Sequence, residues 1–174
     1  MAETIRELIS EQEVDKRIEE LGKQISEDYA GKSIHLICIL KGGAFFMCEL
    51  AKRITLSVSI DFMSVSSYGD ATTSSGHIKI KKDLDESVEG KDVLIVEDII
   101  DSGRTLYFLT DELKKRGARS IALCTLLDKP DRRVVEVKTD YVGFQIPDEF
   151  VVGYGLDYAQ KYRTLPFIGV VEGV

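Results

Sequence analysis

The sequence predicts an α/β fold, in which a central, mainly parallel sheet is flanked by helices and carries a small hood subdomain. Three observations predict it. Apolar strand segments alternate with amphipathic helices through the middle of the chain, as in right-handed βαβ units. Residues 93–96 (VLIV) form a continuous apolar run, which is typical of a strand buried on both faces of a parallel sheet. After residue 128 the pattern changes to short strands, which predicts the hood.

The N-terminal region predicts a helix. Ser10 and Glu13 have the spacing of a capping box, and Gly31 follows the last apolar position, where a helix commonly ends. Between them, five apolar residues recur at the spacing of one helix face: Val14, Ile18, Leu21, Ile25 and Tyr29.

The next segments predict a strand, a helix and a second strand. Residues 34–40 form a buried strand, residues 41–43 a turn and residues 44–53 a helix. Over residues 56–62 apolar and polar residues alternate, which predicts a strand whose more solvent-exposed face carries Ser57, Ser59 and Asp61.

The second half begins with a segment that cannot pack a core. Residues 66–77 are small or polar apart from Tyr68, which predicts a mobile loop. A helix over residues 105–116 and a strand over residues 121–127 follow the apolar run at 93–96. Short strands are then predicted at 141–146, 150–152 and 167–171, and the two terminal segments together are expected to form the hood.

Length and composition limit the possible functions. The 174 residues are expected to form a single domain over 1–174, with a core over about 30–130 and a hood from the N-terminal segment and about 140–174. The net charge of −7 argues against sequence-independent nucleic-acid binding, which requires an excess of lysine and arginine. No apolar run approaches the length of a membrane span, and no secretory signal pattern is present, so we expect a cytoplasmic protein that binds no membrane. The three cysteines lie in apolar runs and are expected to be buried thiols.

Residues 93–106 carry the strongest chemical signal. A buried strand delivers Glu97 and Asp98 at its carboxyl end, and the sequence from Asp101 to Thr105 (DSGRT) then opens a helix. Ligands of open α/β sheets bind at the carboxyl ends of strands. A small loop with a glycine at a helix start offers N–H groups and the helix dipole to a phosphate, and neighbouring carboxylates suit ribose hydroxyls or hydrated Mg²⁺. The alternative for any one of these residues is a simple helix cap or turn.

This stretch resembles the phosphoribosyl-diphosphate (PRPP) signature of the type I phosphoribosyltransferases. Four further segments resemble the 6-oxopurine branch, the hypoxanthine-guanine phosphoribosyltransferases: LKGG at 40–43, SSYG at 66–69, LLDKP at 126–130 and VGFQIPDEFVVGYGLDYAQKYR at 142–163. The resemblance runs in order through nearly the whole chain. It implies the type I phosphoribosyltransferase fold, Mg²⁺ as cofactor and a homodimer or homotetramer. The implied reaction is purine salvage: transfer of the phosphoribosyl group of PRPP to hypoxanthine or guanine, with release of pyrophosphate.

The resemblance also implies roles for individual residues. Asp101 would handle the proton at N7 of the purine, and Glu97 and Asp98 would hold the ribose hydroxyls. The 5′-phosphate would be bound by the loop formed by Ser102, Gly103, Arg104 and Thr105. The family has a cis bond between Leu40 and Lys41. Pyrophosphate would be bound by Lys41, Gly42 and Arg163.

For the purine, the resemblance assigns Lys129 to the 6-oxo group, Phe150 to stacking and the Val151 carbonyl to the purine edge. Asp157, with Glu97 and Asp98, would bind Mg²⁺, while Ser67 and Tyr68 would belong to a loop that closes over the reaction. Without the resemblance, Lys129 would be an ordinary solvated lysine, Phe150 a core residue, and Asp157 and Arg163 a surface ion pair.

Two alternatives stay open. A nucleotide-sensing regulator on the same fold would keep the PRPP site but should carry a basic face. A transferase for another base, such as orotate or adenine, should lack Lys129 and the base pocket at Phe150 and Val151. The segment 131–139 matches the family poorly and receives no role, so its Arg132 and Arg133 are expected to be solvated or at a subunit contact.

Overall fold

The computed structural model describes residues 2–68 and 77–173. Within them, six strands form one sheet in the spatial order His77–Lys82 (β4), Val58–Tyr68 (β3), Ile34–Ile39 (β2), Asp92–Ile100 (β5), Ser120–Asp128 (β6) and Tyr141–Gln145 (β7). All neighbours in this sheet pair in parallel except β3 and β4, which are antiparallel. A second, antiparallel sheet contains Thr4–Ile9 (β1), Ile168–Glu172 (β9) and Val151–Val152 (β8). The predicted fold class, a mainly parallel sheet with helices and a small hood, is confirmed.

Three α-helices are assigned in the described residues: Glu11–Asp28 (α1), Ala44–Ala51 (α2) and Arg104–Lys115 (α3). The predicted capping box starts α1, since the Glu13 N–H donates to Ser10 Oγ at 3.1 Å and the Ser10 N–H donates to Glu13 Oε2 at 2.8 Å. This reciprocal pair satisfies two of the N–H groups that a helix start leaves without partners.

The two faces of the large sheet bury separate apolar clusters, because successive side chains of a strand point to opposite faces. On β2, Leu36 and Cys38 pack with α1 and α2, while Ile37 and Ile39 pack with α3. From α3, Leu106, Leu109 and Leu113 are buried on one helix face. Both helix layers are thus held by apolar burial, which leaves the carboxyl ends of β5 and β6 available for polar groups.

The predicted polarity of β3 is wrong at its centre. Ile60 is 49% exposed, whereas Asp61 is only 3% exposed. The Asp61 carboxylate is buried because its Oδ2 accepts hydrogen bonds from the N–H groups of Asp85 and Glu86 at 3.0 and 3.1 Å. These bonds offset the cost of removing the carboxylate from water, which a pattern of apolar residues does not reveal.

The segment predicted as a loop at 66–77 is partly strand. β3 continues to Tyr68 and β4 begins at His77, and the two strands pair in antiparallel register up to Tyr68 and His77. The pairing supplies backbone hydrogen bonds that allow small polar residues to extend a strand. The rest of the predicted loop, residues 69–76, lies outside the described residues.

Three further expectations need correction. Cys38 and Cys124 are buried, but Cys48 is exposed, because α2 buries its opposite face through Phe46, Met47 and Leu50. β1 was not predicted, because its partner β9 lies at the other end of the chain. β7 belongs to the large sheet, so the core extends beyond the boundary assigned from sequence.

In the described residues, no helix has both the length and the apolar character that a membrane crossing requires.

Candidate active site

The carboxyl end of β5 places two adjacent acidic residues in the interior. Glu97 is buried, and burial together with the neighbouring Asp98 raises the pKa of its carboxyl well above the usual range. Burial also raises the pKa of Asp98. The Asp98 N–H donates to Glu97 Oε1 at 3.0 Å, and the Ile99 N–H donates to Asp98 Oδ1 at 2.7 Å. The pair can therefore offer carboxylate oxygens to hydroxyl groups at this edge of the sheet.

The loop after β5, residues 101–105, forms a pocket at the start of α3. Gly103 has a φ of +83° and is the N-cap of α3, so the loop turns directly into the helix. A cavity of about 120 Å³ is lined by residues of the predicted set: Glu97, Asp98, Asp101, Ser102, Gly103 and Thr105. Arg104 does not line this cavity, and its side chain is exposed. A helix N-terminus beside a small cavity can bind a phosphate through its N–H groups and dipole.

A second segment, residues 133–137, packs behind this loop. The N–H groups of Val134 and Val135 both donate to the Ser102 carbonyl, at 2.9 and 3.0 Å. A Cβ atom on Gly103 would lie 2.6 Å from the Val135 carbonyl oxygen. Glycine is thus required at this position for close approach as well as for its positive φ.

The turn at 41–43 meets β5 at the same sheet edge. The peptide bond between Leu40 and Lys41 is cis, as the family resemblance predicted. A Cβ on Gly42 would lie 1.7 Å from Asp98 Oδ2, and a Cβ on Gly155 of the hood would lie 2.0 Å from the Gly42 carbonyl oxygen. The acidic pair, the turn and the hood therefore pack directly against one another, with glycine at both contacts.

Lys129, at the end of β6, is only 8% exposed, unlike the solvated lysine that its position before Pro130 would suggest. Its Nζ lies 3.8 Å from Asp101 Oδ1 and 3.8 Å from Asp148 Oδ1. The backbone N–H of Lys129 donates to the Ile100 carbonyl at 3.0 Å. A nearly buried ammonium is thus held beside the carboxylate that opens the loop at 101–105.

The predicted aromatic stacking residue is not part of the core. Phe150 is 51% exposed, and its ring meets Tyr158 edge to face with a centroid distance of 5.6 Å. Edge-to-face contacts favour one ring orientation, so Tyr158 supports the Phe150 ring while one face remains available. Val151 follows in β8 and pairs with Val170 of β9.

Asp157 and Arg163 form the ion pair that was considered from sequence, with Arg163 Nη2 at 3.2 Å from Asp157 Oδ1. The Arg163 guanidinium also donates to the Gly155 carbonyl at 2.7 Å and to Gln160 Oε1 at 3.2 Å. Asp157 Oδ2 accepts from the Gln160 N–H at 2.8 Å. This network fixes a cation and a carboxylate next to Gly155, the residue that touches the turn at 41–43.

Comparison with known proteins agrees with this geometry. A family model described as a phosphoribosyl transferase domain matches residues 5–159. A hypoxanthine-guanine phosphoribosyltransferase of Bacillus subtilis is 54% identical over 95% of this chain and 92% of its own length. The chain belongs to the hypoxanthine-guanine phosphoribosyltransferases. A crystal structure of a phosphoribosyltransferase of this group from Bacillus anthracis superposes with a TM-score of 0.93 at 47% identity, covering 99% of this chain and 100% of that one.

Some relatives of this phosphoribosyltransferase are much longer. A bifunctional protein TilS/HprT of Listeria monocytogenes is 56% identical over 95% of this chain, but the chain spans only 26% of its length. The family identification and the predicted fold are confirmed by these comparisons.

The phosphoribosyltransferase structure brings most of the predicted site residues to one sheet edge, through the contacts described above. The side chains of Ser67 and Tyr68 lie outside the described part of the structure. Sequence reasoning missed four residues that touch the site: Asp128, Arg133, Asp148 and Tyr158. Asp148 and Tyr158 lie inside the segment 142–163 that resembled the family, which was the available signal. Arg133 was expected in solvent or at a subunit contact, but it pairs with Asp128 and donates to the Asp101 carbonyl.

Proposed function

We propose that the chain transfers the 5-phosphoribosyl group of PRPP to hypoxanthine or guanine, or both, and produces IMP or GMP and pyrophosphate. The observation that carries this proposal is the position of Asp101. It lines the cavity at the start of α3, and its carboxylate faces the nearly buried ammonium of Lys129. One carboxylate therefore lies between a pocket suited to a phosphate and a donor suited to a 6-oxo group.

The purine side is built for an oxygen at position 6. Lys129 donates to the 6-oxo group, Phe150 stacks on the purine, and the Val151 carbonyl accepts from the purine edge. Adenine presents an amino group at the same position, which would face a donor and give the nearly buried lysine no acceptor on the base. Loss of such a partner costs far more than loss of an apolar contact, so the site selects against adenine.

The phosphate groups are held mainly by backbone and by fixed cations. Ser102, Gly103 and Thr105 bind the 5′-phosphate at the helix start, with Arg104 adding positive charge from the exposed side. The backbone at Lys41 and Gly42, with Arg163, binds pyrophosphate. Glu97 and Asp98, adjacent at the end of β5, accept from the ribose hydroxyls.

The donor set fits Mg²⁺ that is bound together with substrate. In the described residues, no three acidic, histidine or cysteine side chains lie close enough to hold a metal ion by themselves. Mg²⁺ is commonly bound through one or two carboxylates plus substrate phosphates and waters, which is the arrangement that Asp157, Glu97 and Asp98 can provide. When bound, the ion neutralises the pyrophosphate that leaves.

Asp101 handles the proton at N7 of the purine. As C1 of PRPP loses pyrophosphate, N9 attacks and the purine becomes more acidic at N7, so a carboxylate there accepts the proton or stabilises it. The ribose develops oxocarbenium character, which water would trap. The predicted closing loop with Ser67 and Tyr68 would exclude that water, and this role stays a prediction.

A PRPP-dependent assay with hypoxanthine, guanine, xanthine and adenine in parallel tests the reaction. We expect product with the first two bases and little with adenine. PRPP binding without turnover of any base would refute the transferase function and favour the nucleotide-sensing alternative.

The Asp101→Asn variant tests the proton role. We expect kcat to fall by about 10²–10⁴-fold, the usual contribution of a general acid or base, while PRPP affinity measured by calorimetry is retained. Asp131→Asn, at an exposed position in the same part of the chain, is the matched control and should keep wild-type kcat. Near-normal kcat in Asp101→Asn would exclude proton handling by this residue.

We also propose that the chain forms a homodimer or homotetramer. Four large apolar side chains outside the purine pocket are exposed in the described residues, and burying some of them in a subunit contact would favour assembly: Phe45 (43%), Ile60 (49%), Tyr107 (59%) and Val134 (62%). Light scattering after size exclusion should give a multiple of the 19.5 kDa chain mass. A mass of one chain at micromolar concentration would refute the assembly.

A further inference from the structure

We propose that Arg133 is a positioning residue for the transfer reaction. It ties the loop at 101–105 to the end of β6, so that the phosphate pocket and the purine-binding lysine keep a fixed separation. The inference rests on the proposed function, in which this loop binds the 5′-phosphate of PRPP and Lys129 binds the purine.

The Arg133 side chain reaches two different elements. Its Nη2 forms an ion pair with Asp128 Oδ1 at the end of β6, and its Nε donates to the Asp101 carbonyl at 3.2 Å. The Asp128 side chain is nearly buried, and the Arg133 side chain is only 20% exposed. A guanidinium can serve both acceptors at once because its donors are fixed in one plane. This bridge is therefore a rigid link rather than a surface ion pair.

The backbone after Arg133 extends the same contact. Val134 and Val135 donate to the Ser102 carbonyl, so the segment binds two consecutive residues of the loop, Asp101 by a side chain and Ser102 by main-chain N–H groups. The ideal Cβ position at Gly103 lies 3.0 Å from Arg133 Cδ. The loop thus packs against Arg133, which does not line the cavity.

The other end of the bridge reaches the purine site. Asp128 directly precedes Lys129, whose N–H donates to the Ile100 carbonyl one residue before Asp101. Arg133 therefore closes a ring of contacts that runs from Asp128 and Lys129 through Ile100 to Asp101 and back. Since the reaction joins atoms held by the two halves of this ring, a small change in their separation should affect transfer.

Arg133→Gln and Arg133→Lys test this role through kinetics and thermal unfolding. We expect Arg133→Gln to raise the KM for PRPP by about tenfold, the usual size for loss of one charge-assisted hydrogen bond, and to lower kcat, because Asp101 is no longer fixed. Arg133→Lys keeps a cation beside Asp128 but cannot serve both acceptors, so we expect an intermediate KM, raised by about threefold.

Arg119→Gln is the matched control. Arg119 also forms an ion pair with a buried carboxylate, that of Asp92, but it lies at the opposite, amino-terminal end of β5 and β6 and both of its donors bind that one carboxylate. The Arg119→Gln substitution should lower the melting temperature and leave kcat and the KM for PRPP unchanged. Equal kinetic losses in Arg119→Gln and Arg133→Gln would show a general loss of stability and overturn the proposal.

Two further outcomes are decisive. A KM for PRPP within about twofold of wild type in Arg133→Gln would also overturn the positioning role. If Arg133→Gln does not fold, Arg133→Lys decides alone, and an unchanged KM for PRPP in that variant refutes the proposal. A wild-type chain that neither binds nor consumes PRPP would instead refute the proposed function, so the two failures are distinguishable.

Discussion

Gly103→Ala is the most direct perturbation of the phosphate loop, because the substitution adds one carbon at a defined place. The Cβ would lie 2.6 Å from the Val135 carbonyl oxygen and 3.0 Å from both Arg133 Cδ and Val137 Cγ2. It would also have to adopt a φ of +83°, which L side chains disfavour. Two separable costs therefore apply to a single substitution.

The positive φ costs about 1–2 kcal/mol of stability. The contact with the Val135 carbonyl oxygen cannot be relieved by a side-chain rotation, because the atom belongs to the backbone, and overpacking of this kind costs about 1–3 kcal/mol more. We therefore expect a total loss of about 2–5 kcal/mol in the free energy of unfolding. The loop must also shift away from residues 133–137, so the KM for PRPP should rise, by up to about 10²-fold for a 1 Å displacement.

The Gly117→Ala variant measures the cost of the positive φ alone. Gly117 follows the other end of α3 with a φ of +86°, and the nearest atom to its Cβ would be Glu89 Cγ at 3.4 Å. Urea unfolding of both variants should show the larger loss for Gly103→Ala, and steady-state kinetics should show a raised KM for PRPP in that variant only. Equal stability losses, with unchanged KM for PRPP in both, would refute the packing argument.

Three further predictions concern other parts of the molecule. Lys129→Gln should raise the KM for hypoxanthine by about tenfold or more and reduce the preference for hypoxanthine over adenine in kcat/KM; an unchanged ratio would remove Lys129 from purine selection. Phe150→Ala should raise the purine KM while shifting the melting temperature little, because the ring is half exposed, and a large drop in melting temperature would make it a core residue after all. Burial lowers the pKa of His35 below its usual 6.5, so on acidification the unfolded chain binds a proton before the folded chain does. The contribution of His35 to the free energy of unfolding should therefore be at its full value above about pH 6.5 and should fall toward pH 5, by at most about 1.4 kcal/mol per pH unit. Urea unfolding of His35→Gln should lack this dependence.

The elements that sequence predicted are those whose signals are local. The capping box of α1 lies within four residues, and the apolar runs of β2 and β5 mark strands that are buried on both faces. β1 has no such signal, because its stability comes from pairing with β9 at the other end of the chain. The burial of Asp61 likewise depends on two N–H groups that lie 24 and 25 residues away. Long-range partners of this kind do not appear in a short pattern.

The site residues divide in the same way, into those with a local sequence signal and those that depend on long-range partners. Residues 97–105 form one contiguous segment at a strand end, so their joint position followed from sequence. The burial of Lys129 did not, because it depends on Asp101 and Asp148, which approach from different segments. Arg133 gave no signal, since an arginine beside another arginine in a polar segment is usually solvated. Its role is visible only when β5 and β6 are placed side by side.

The pairing of charges at the site explains how a chain of net charge −7 can accommodate a highly anionic substrate. The local field depends on the charges within about one Debye length and not on the total. Four acidic residues at this edge lie within ion-pair distance of a cation. Asp101 and Asp148 both approach Lys129, Asp128 pairs with Arg133, and Asp157 pairs with Arg163. Because these four carboxylates are paired before substrate arrives, their negative charge opposes less strongly the attraction of the phosphate to the N–H groups at the start of α3.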